Sequence, residues 1–109
     1  MTKQTKIKKD DIRLQLAEAQ DFTCPISKVK FVLVEGRVID PTTKKAVSVD
    51  HDHATGFVRG VLIQKVNWLV DQWQQGSYGE LAQPQEITDY LKDYPARAAL
   101  GDILYEDIR

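Results

Sequence analysis

Val49-Asp50-His51-Asp52-His53-Ala54-Thr55-Gly56-Phe57-Val58-Arg59-Gly60-Val61-Leu62 carries more information than any other part of this 109-residue chain. Residues 46–53 are predicted to be extended. Ala54-Thr55-Gly56 follows as a tight turn in which Gly56 is free to adopt positive φ, and residues 57–61 run back as the second strand. From Leu62 the period changes. Leu62, Val66, Leu69, Val70 and Trp73 fall at helical spacing, and Gly76 ends the helix. A β-hairpin followed directly by a helix is therefore expected over about residues 46–75.

The hairpin carries unusual chemistry. Asp50, His51, Asp52 and His53 are four ionisable residues in a row and include both histidines of the chain. They feed no core, and the plain alternative is a solvated turn rich in Asp and His. Strand alternation sends Asp50 and Asp52 to one face and His51 and His53 to the other, unless the strand bulges there. Carboxylates suit hard cations such as Mg²⁺ or Mn²⁺, whereas imidazole suits proton transfer near neutral pH. Asn67, sixteen residues beyond His51, falls on the second turn of the following helix. Strand-end Asp50-His51 and helical Asn67 can then meet at one divalent cation. Arg59 on the return strand is placed either to meet a phosphate or to pair with Asp52. Lys65 on the helix offers a phosphate contact or a solvated face.

Working outward, Asp10 or Asp11 is predicted to cap a helix running to about Gln20, with Ile12, Leu16 and Ala17 on its apolar side. Residues 28–40 read as strand, turn and strand, with Val29, Phe31 and Leu33 alternating and Glu35-Gly36 at the turn. Pro84 opens a helix containing Ile87, Tyr90 and Leu91, and Pro95 opens a last one through Leu104, nicked at Gly101. The fold class expected is α+β: one small domain spanning residues 1–109, with the hairpin–helix core flanked by N- and C-terminal helices. Residues 1–9 form a basic arm. The composition is 42% hydrophobic and 28% charged, which excludes wholesale disorder. No apolar run approaches the roughly 20 residues that span a bilayer, and the Lys-rich start lacks an apolar leader core. A soluble, cytoplasmic protein without a membrane partner is expected.

Net charge is −1, but it is unevenly spread. Residues 1–49 hold ten Lys/Arg against six acids, and residues 50–109 hold five against ten. A basic half could dock a polyanion while the whole stays soluble. A merely solvated basic arm explains the same pattern. Cys24 is the single cysteine, so no intramolecular disulfide can form.

The run from Val49 to Leu62, with Asn67 beyond it, closely resembles the phage recombination endonuclease VII family of HNH-type (ββα-metal) nucleases. The likeness is dense over residues 49–69 and fainter from Cys24 to residue 75. It implies Asp50 and Asn67 as ligands of one Mg²⁺ or Mn²⁺ ion, His51 as the base that activates water, and His53 as a second catalytic residue touching phosphate or orienting the site. The implied activity is hydrolysis of DNA phosphodiester bonds, which needs a deprotonated water and a cation to neutralise developing charge. The family pattern also includes two CxxC pairs that hold a structural zinc. Here those positions read Cys24-Pro25-Ile26-Ser27 and Ile63-Gln64-Lys65-Val66, so three of the four ligands are missing and no structural zinc is expected. Ile63 and Val66 point to apolar packing instead, with Cys24 as a small buried hydrophobe. Core burial or a homodimer must replace the metal's contribution, and Trp68, Trp73, Phe22 and Phe31 are candidates for that core.

Cutting a four-way junction symmetrically needs two active sites, so a nicking or homing-type endonuclease is the expected activity for a single copy. The DNA substrate, double-stranded or branched, would be contacted by Arg59, Lys65, Lys44 and Lys45, with Lys3, Lys6, Lys8 and Lys9 as further phosphate contacts. Two other readings use the same residues. One is a catalytically silent ββα module that binds DNA or a protein; the other is a regulatory zinc site built from His51, His53 and Cys24.

Overall fold

The computed structural model describes residues 7–108; Lys3 and Lys6 of the expected basic arm lie outside them. Helix α1 spans Lys9–Ala19 and buries Ile12, Leu16 and Ala17, as the apolar spacing predicts. Its N-cap is Lys8 rather than an aspartate, and no side chain caps it. Asp10 and Asp11 sit two and three positions too late to cap, in the first turn, where their charge favours the positive end of the helix.

After α1 the chain turns through Asp21 and Phe22, both at positive φ, into a tight loop closed by hydrogen bonds from Cys24 N to Val29 O (2.8 Å) and Lys28 N to Cys24 O (2.9 Å). Strands β1 (Val32–Val34) and β2 (Arg37–Ile39) pair antiparallel across Glu35-Gly36, whose φ values of 51° and 81° are those of a two-residue hairpin turn. The strands are shorter than the sequence predicts. Phe31 and Val38 enter the core, but Leu33 is 52% exposed, because the hairpin projects beyond the elements that could cover it.

Strands β3 (Ser48–His51) and β4 (Val58–Leu62) form the second antiparallel pair. Helix α2 (Gln64–Gln74) follows after one residue, which gives the expected hairpin–helix order. It starts later than its apolar period suggests because Leu62 completes β4 and Ile63 takes the extended N-cap conformation. Helices α3 (Gln85–Lys92) and α4 (Pro95–Leu100) open after Pro84 and at Pro95 respectively. The last helix does not reach Leu104. Gly101 at φ 76° breaks it, and residues 101–108 become an extended strap with a 3₁₀ turn at Tyr105–Asp107.

Every residue of β4 is buried, because α1 and α4 both pack against it. One apolar cluster joins α1, both hairpins and all the later helices. Cys24, Ile63 and Val66 are all buried in it as packing side chains, as the sequence predicts. Phe31 also joins the core, while Phe22 and Trp73 pack against its edge. Trp68 does not; it is 57% exposed, since α2 turns Val66 and Val70 inward and Trp68 away from them. Among the described residues no helix is long and apolar enough to cross a membrane.

Candidate active site

The β3–β4 register slips between Asp50 and His51. Asp50 faces Gly60 and His51 faces Val58, so Arg59 is the extra residue of a bulge. The bulge aims Arg59 inward, where it is 2% exposed, onto Asp50, which is 5% exposed. Arg59 Nε donates to Asp50 Oδ2 at 2.8 Å and Nη2 to Oδ1 at 3.1 Å. The same Nη2 donates to the His51 carbonyl at 3.2 Å and to Gln74 Oε1 at 2.9 Å, which ties helix α2 to the hairpin. Tyr90 adds a third donor to the carboxylate, its hydroxyl lying 2.8 Å from Asp50 Oδ2. Burial, reinforced by the neighbouring carboxylate, raises the Tyr90 pKa well above its usual value and keeps that hydroxyl protonated.

Gly60 makes this approach possible. A Cβ there would lie 2.8 Å from Gln20 Oε1 and 3.1 Å from the Tyr90 hydroxyl. Gln20, at the end of α1, donates to Val61 O and accepts from Val61 N, both at 2.8 Å, and so pairs with β4 as a strand would.

The rings of His51, the last residue of β3, and His53, in the turn beyond it, lie with centroids 4.8 Å apart. The register shift after Asp50 leaves them on the same groove as Asp50 instead of segregating them by strand alternation. Tyr105 stacks on His51 at 3.9 Å and 14°. Partial burial, and next the charge of His53, lower the His51 pKa, with Asp50 opposing, so the neutral imidazole is favoured. His53 Nε2 lies 3.1 Å from Asp71 Oδ1. Asp52 belongs to the turn: its Oδ1 accepts the Ala54 N–H at 2.8 Å, and that bond lowers its pKa.

A groove of about 420 Å³ collects these groups. Asp50, His51, His53, Asn67, Trp68, Asp71 and Tyr105 line it, and Lys9 and Arg13 from α1 stand among the other lining residues. Asp50, His51, His53 and Asn67, singled out from sequence, are thus brought together. The basic residues are not. Arg59 is buried against Asp50, so its reading as a phosphate contact is corrected, and Asp52 is not its partner either. Lys65, Lys44 and Lys45 are exposed but do not line the groove; Lys44 and Lys45 sit on a loop closed by Lys44 N to Asp40 O at 2.7 Å and Asp40 N to Lys45 O at 2.9 Å.

The donor set fits a hydrated hard cation. Asp50 Oδ1 accepts one bond at 3.1 Å where Oδ2 accepts two at 2.8 Å, leaving lone-pair capacity on Oδ1. Asn67 lines the same groove on the half-exposed face of α2. A carboxylate and a carboxamide with water and phosphate oxygens completing the shell suit Mg²⁺ or Mn²⁺. Among the described residues no three His, Cys, Asp or Glu side chains are grouped to hold a metal, which leaves Cys24 and the two histidines without a shared zinc geometry. Asp71 escaped the sequence reading although its signal was present: it follows Asn67 by four residues and shares its helix face. Tyr90 and Tyr105 gave none, since each arrives from a distant element.

The chain aligns with the Gene 59 protein of Mycobacterium phage D29, at 39% identity over 59 residues, covering 54% of this chain and 34% of that protein. The matched segment therefore spans about a third of the relative's length. No solved structure matches the chain. The family model for recombination endonuclease VII matches residues 1–95, and the chain belongs to that family.

Proposed function

We propose that the protein is a phage-type, divalent-metal-dependent endonuclease that hydrolyses DNA phosphodiester bonds. The observation that carries this reading is the meeting of Asp50, His51, His53 and Asn67 along one groove at the hairpin–helix junction. Family membership supports the substrate class. Asp50 and Asn67 would hold one Mg²⁺ or Mn²⁺ ion, which supplies charge neutralisation at the phosphate and the leaving oxygen. His51 takes the proton of the attacking water. Its hydrogen bonds to other described residues run through the backbone, so the imidazole is not committed elsewhere. His53, as an imidazolium with Nε2–H on Asp71, would donate Nδ1–H to a phosphate oxygen. Lys9, which also lines the groove, adds positive charge for the anionic backbone, whereas Arg13 beside it is engaged by Asp10 and by the Val47 carbonyl.

Supercoiled plasmid incubated with Mg²⁺, Mn²⁺ or EDTA, comparing the wild type with His51→Ala, tests the reading. Conversion to open circles by the wild type alone, abolished by EDTA, is expected. Equal cleavage by His51→Ala would overturn the assignment of the base. One observation favours a second reading, that of a silent DNA- or protein-binding module: Asp50 already has its charge balanced by Arg59 and a hydrogen bond from Tyr90. DNA retention without cleavage in any metal, on linear, supercoiled and branched substrates, would favour that alternative.

A further inference from the structure

We infer that Tyr105 is a positioning residue that fixes the imidazole of His51 from a C-terminal strap; the inference rests on the role given to His51 above. Residues 101–108 lie beyond the 1–95 matched by the family model, so nothing in the family's pattern accounts for them. The strap is built onto the catalytic hairpin. Val58 N donates to Ile103 O at 2.8 Å, Tyr105 N donates to Gly56 O at 2.7 Å, and Phe57 and Leu104 form an antiparallel bridge. These contacts add a short third strand at the start of β4, beside the turn that ends the Asp-His string. The far end of the strap is pinned too. Ile108 is buried and pairs in parallel with Ile7, whose N–H donates to Asp107 O at 3.0 Å.

Between these two anchors the Tyr105 ring lies nearly parallel to His51, with centroids 3.9 Å apart. Lys9 Nζ donates to its hydroxyl at 2.8 Å and stands 5.1 Å from the ring centroid. The tyrosine is therefore held at both ends, by its backbone and by its phenol oxygen. A side chain gripped in this way does more than fill space. It covers one face of His51 and opposes rotation of the imidazole about χ2, while the ring perimeter, which carries both nitrogens, is left unstacked. A strand-end histidine without that plate would sample several rotamers, and a misaligned base loses rate rather than affinity.

The test has two arms. The chain has only two histidines, so its imidazole proton spectrum holds two sets of signals, which His51→Ala assigns. In the wild type the His51 ring protons are expected upfield of those of His53 through the ring current of Tyr105. Tyr105→Ala should abolish that displacement and Tyr105→Phe should keep it. In plasmid cleavage, Tyr105→Ala is expected to lower kcat on the order of 10- to 100-fold with little change in KM, and Tyr105→Phe to restore most of it. Tyr105→Leu, which keeps side-chain bulk and the strap's backbone pairing, replaces the alanine variant if that one fails to fold. Unchanged kcat in the alanine or leucine variant, or an undisplaced His51 signal in the wild type, would overturn the inference. A wild type that cuts no DNA would instead overturn the reading of His51 as a base, while the ring-current arm would still decide whether Tyr105 fixes the ring.

Discussion

Arg59 grips both oxygens of Asp50, at 2.8 and 3.1 Å, inside a site where both residues are almost completely buried. A charge pair in that setting is costly to break, because the remaining partner keeps its desolvation penalty without its counter-ion. Arg59→Ala is expected to destabilise the fold by about 3–5 kcal/mol. Helix α2 should also loosen from the hairpin, since Arg59 bridges to Gln74. Urea unfolding followed by far-ultraviolet circular dichroism measures the first effect. A loss under about 1 kcal/mol would show that water reaches Asp50 and replaces the guanidinium.

Asn67 behaves oppositely. It is half-exposed on α2 and lines the groove without anchoring the fold. Asn67→Ala is expected to leave stability within about 0.5 kcal/mol of the wild type. Millimolar Mg²⁺ or Mn²⁺ is expected to raise the Tm of the wild type, because a ligand that binds only the folded state stabilises it by mass action, and Asn67→Ala is expected to remove that rise. Thermal melts with and without each cation are the measurement. A full Tm rise in the variant would take Asn67 out of the cation site.

The hairpin–helix unit was legible because its signals are local: strand alternation, one glycine turn and a change of period lie within thirty consecutive residues. The same locality explains the gaps. Whether Arg59 faces water or Asp50 depends on a bulge, which shifts which side of the strand a residue occupies, and the sequence around Arg59-Gly60 is compatible with either. Tyr90 reaches Asp50 across forty positions, so no periodicity ties the two. Trp68 belongs by composition to a core, yet its position beside Asn67 puts it on the open side of α2. The sequence predicts helix into the strap, to Leu104, because Ala96–Leu100 is a good helix former. Gly101 and the pairing of residues 103–105 with the hairpin outweigh that preference.

Gly60 is a packing requirement. A methyl group there would press on Gln20 Oε1 at 2.8 Å and on the Tyr90 hydroxyl at 3.1 Å. Gly60→Ala is expected to cost about 1–3 kcal/mol, as overpacking of a filled interior does. Tyr90→Phe removes only the hydroxyl and should cost a similar amount, because Asp50 Oδ2 loses a buried donor. If the alanine variant acts by pushing Tyr90 off Asp50, the two losses will not add, and the double mutant will unfold at nearly the same denaturant concentration as Gly60→Ala alone. Full additivity would mean that the added methyl group strains Gln20 and leaves the tyrosine in place.

Trp68 offers a large aromatic face at the rim of the groove, where it contributes little to the core. An exposed indole in the groove that Lys9 also lines is suited to stack on a nucleobase or sugar, should DNA enter it. Trp68→Ala is therefore expected to leave unfolding unchanged and to weaken DNA binding by about 1–3 kcal/mol, roughly 5- to 150-fold in Kd at fixed salt. Trp68 and Trp73 are the only two tryptophans, and Trp73 packs at the core edge against Tyr78 at 4.4 Å. A Trp73→Phe background isolates the Trp68 emission, which DNA should then quench. The slope of affinity against salt should stay the same in Trp68→Ala and flatten by about one in Lys9→Ala, since only the lysine displaces a counter-ion. Unquenched emission, with an unaltered Kd for Trp68→Ala, would assign the indole to some other surface contact and leave the basic wall as the principal hold on DNA.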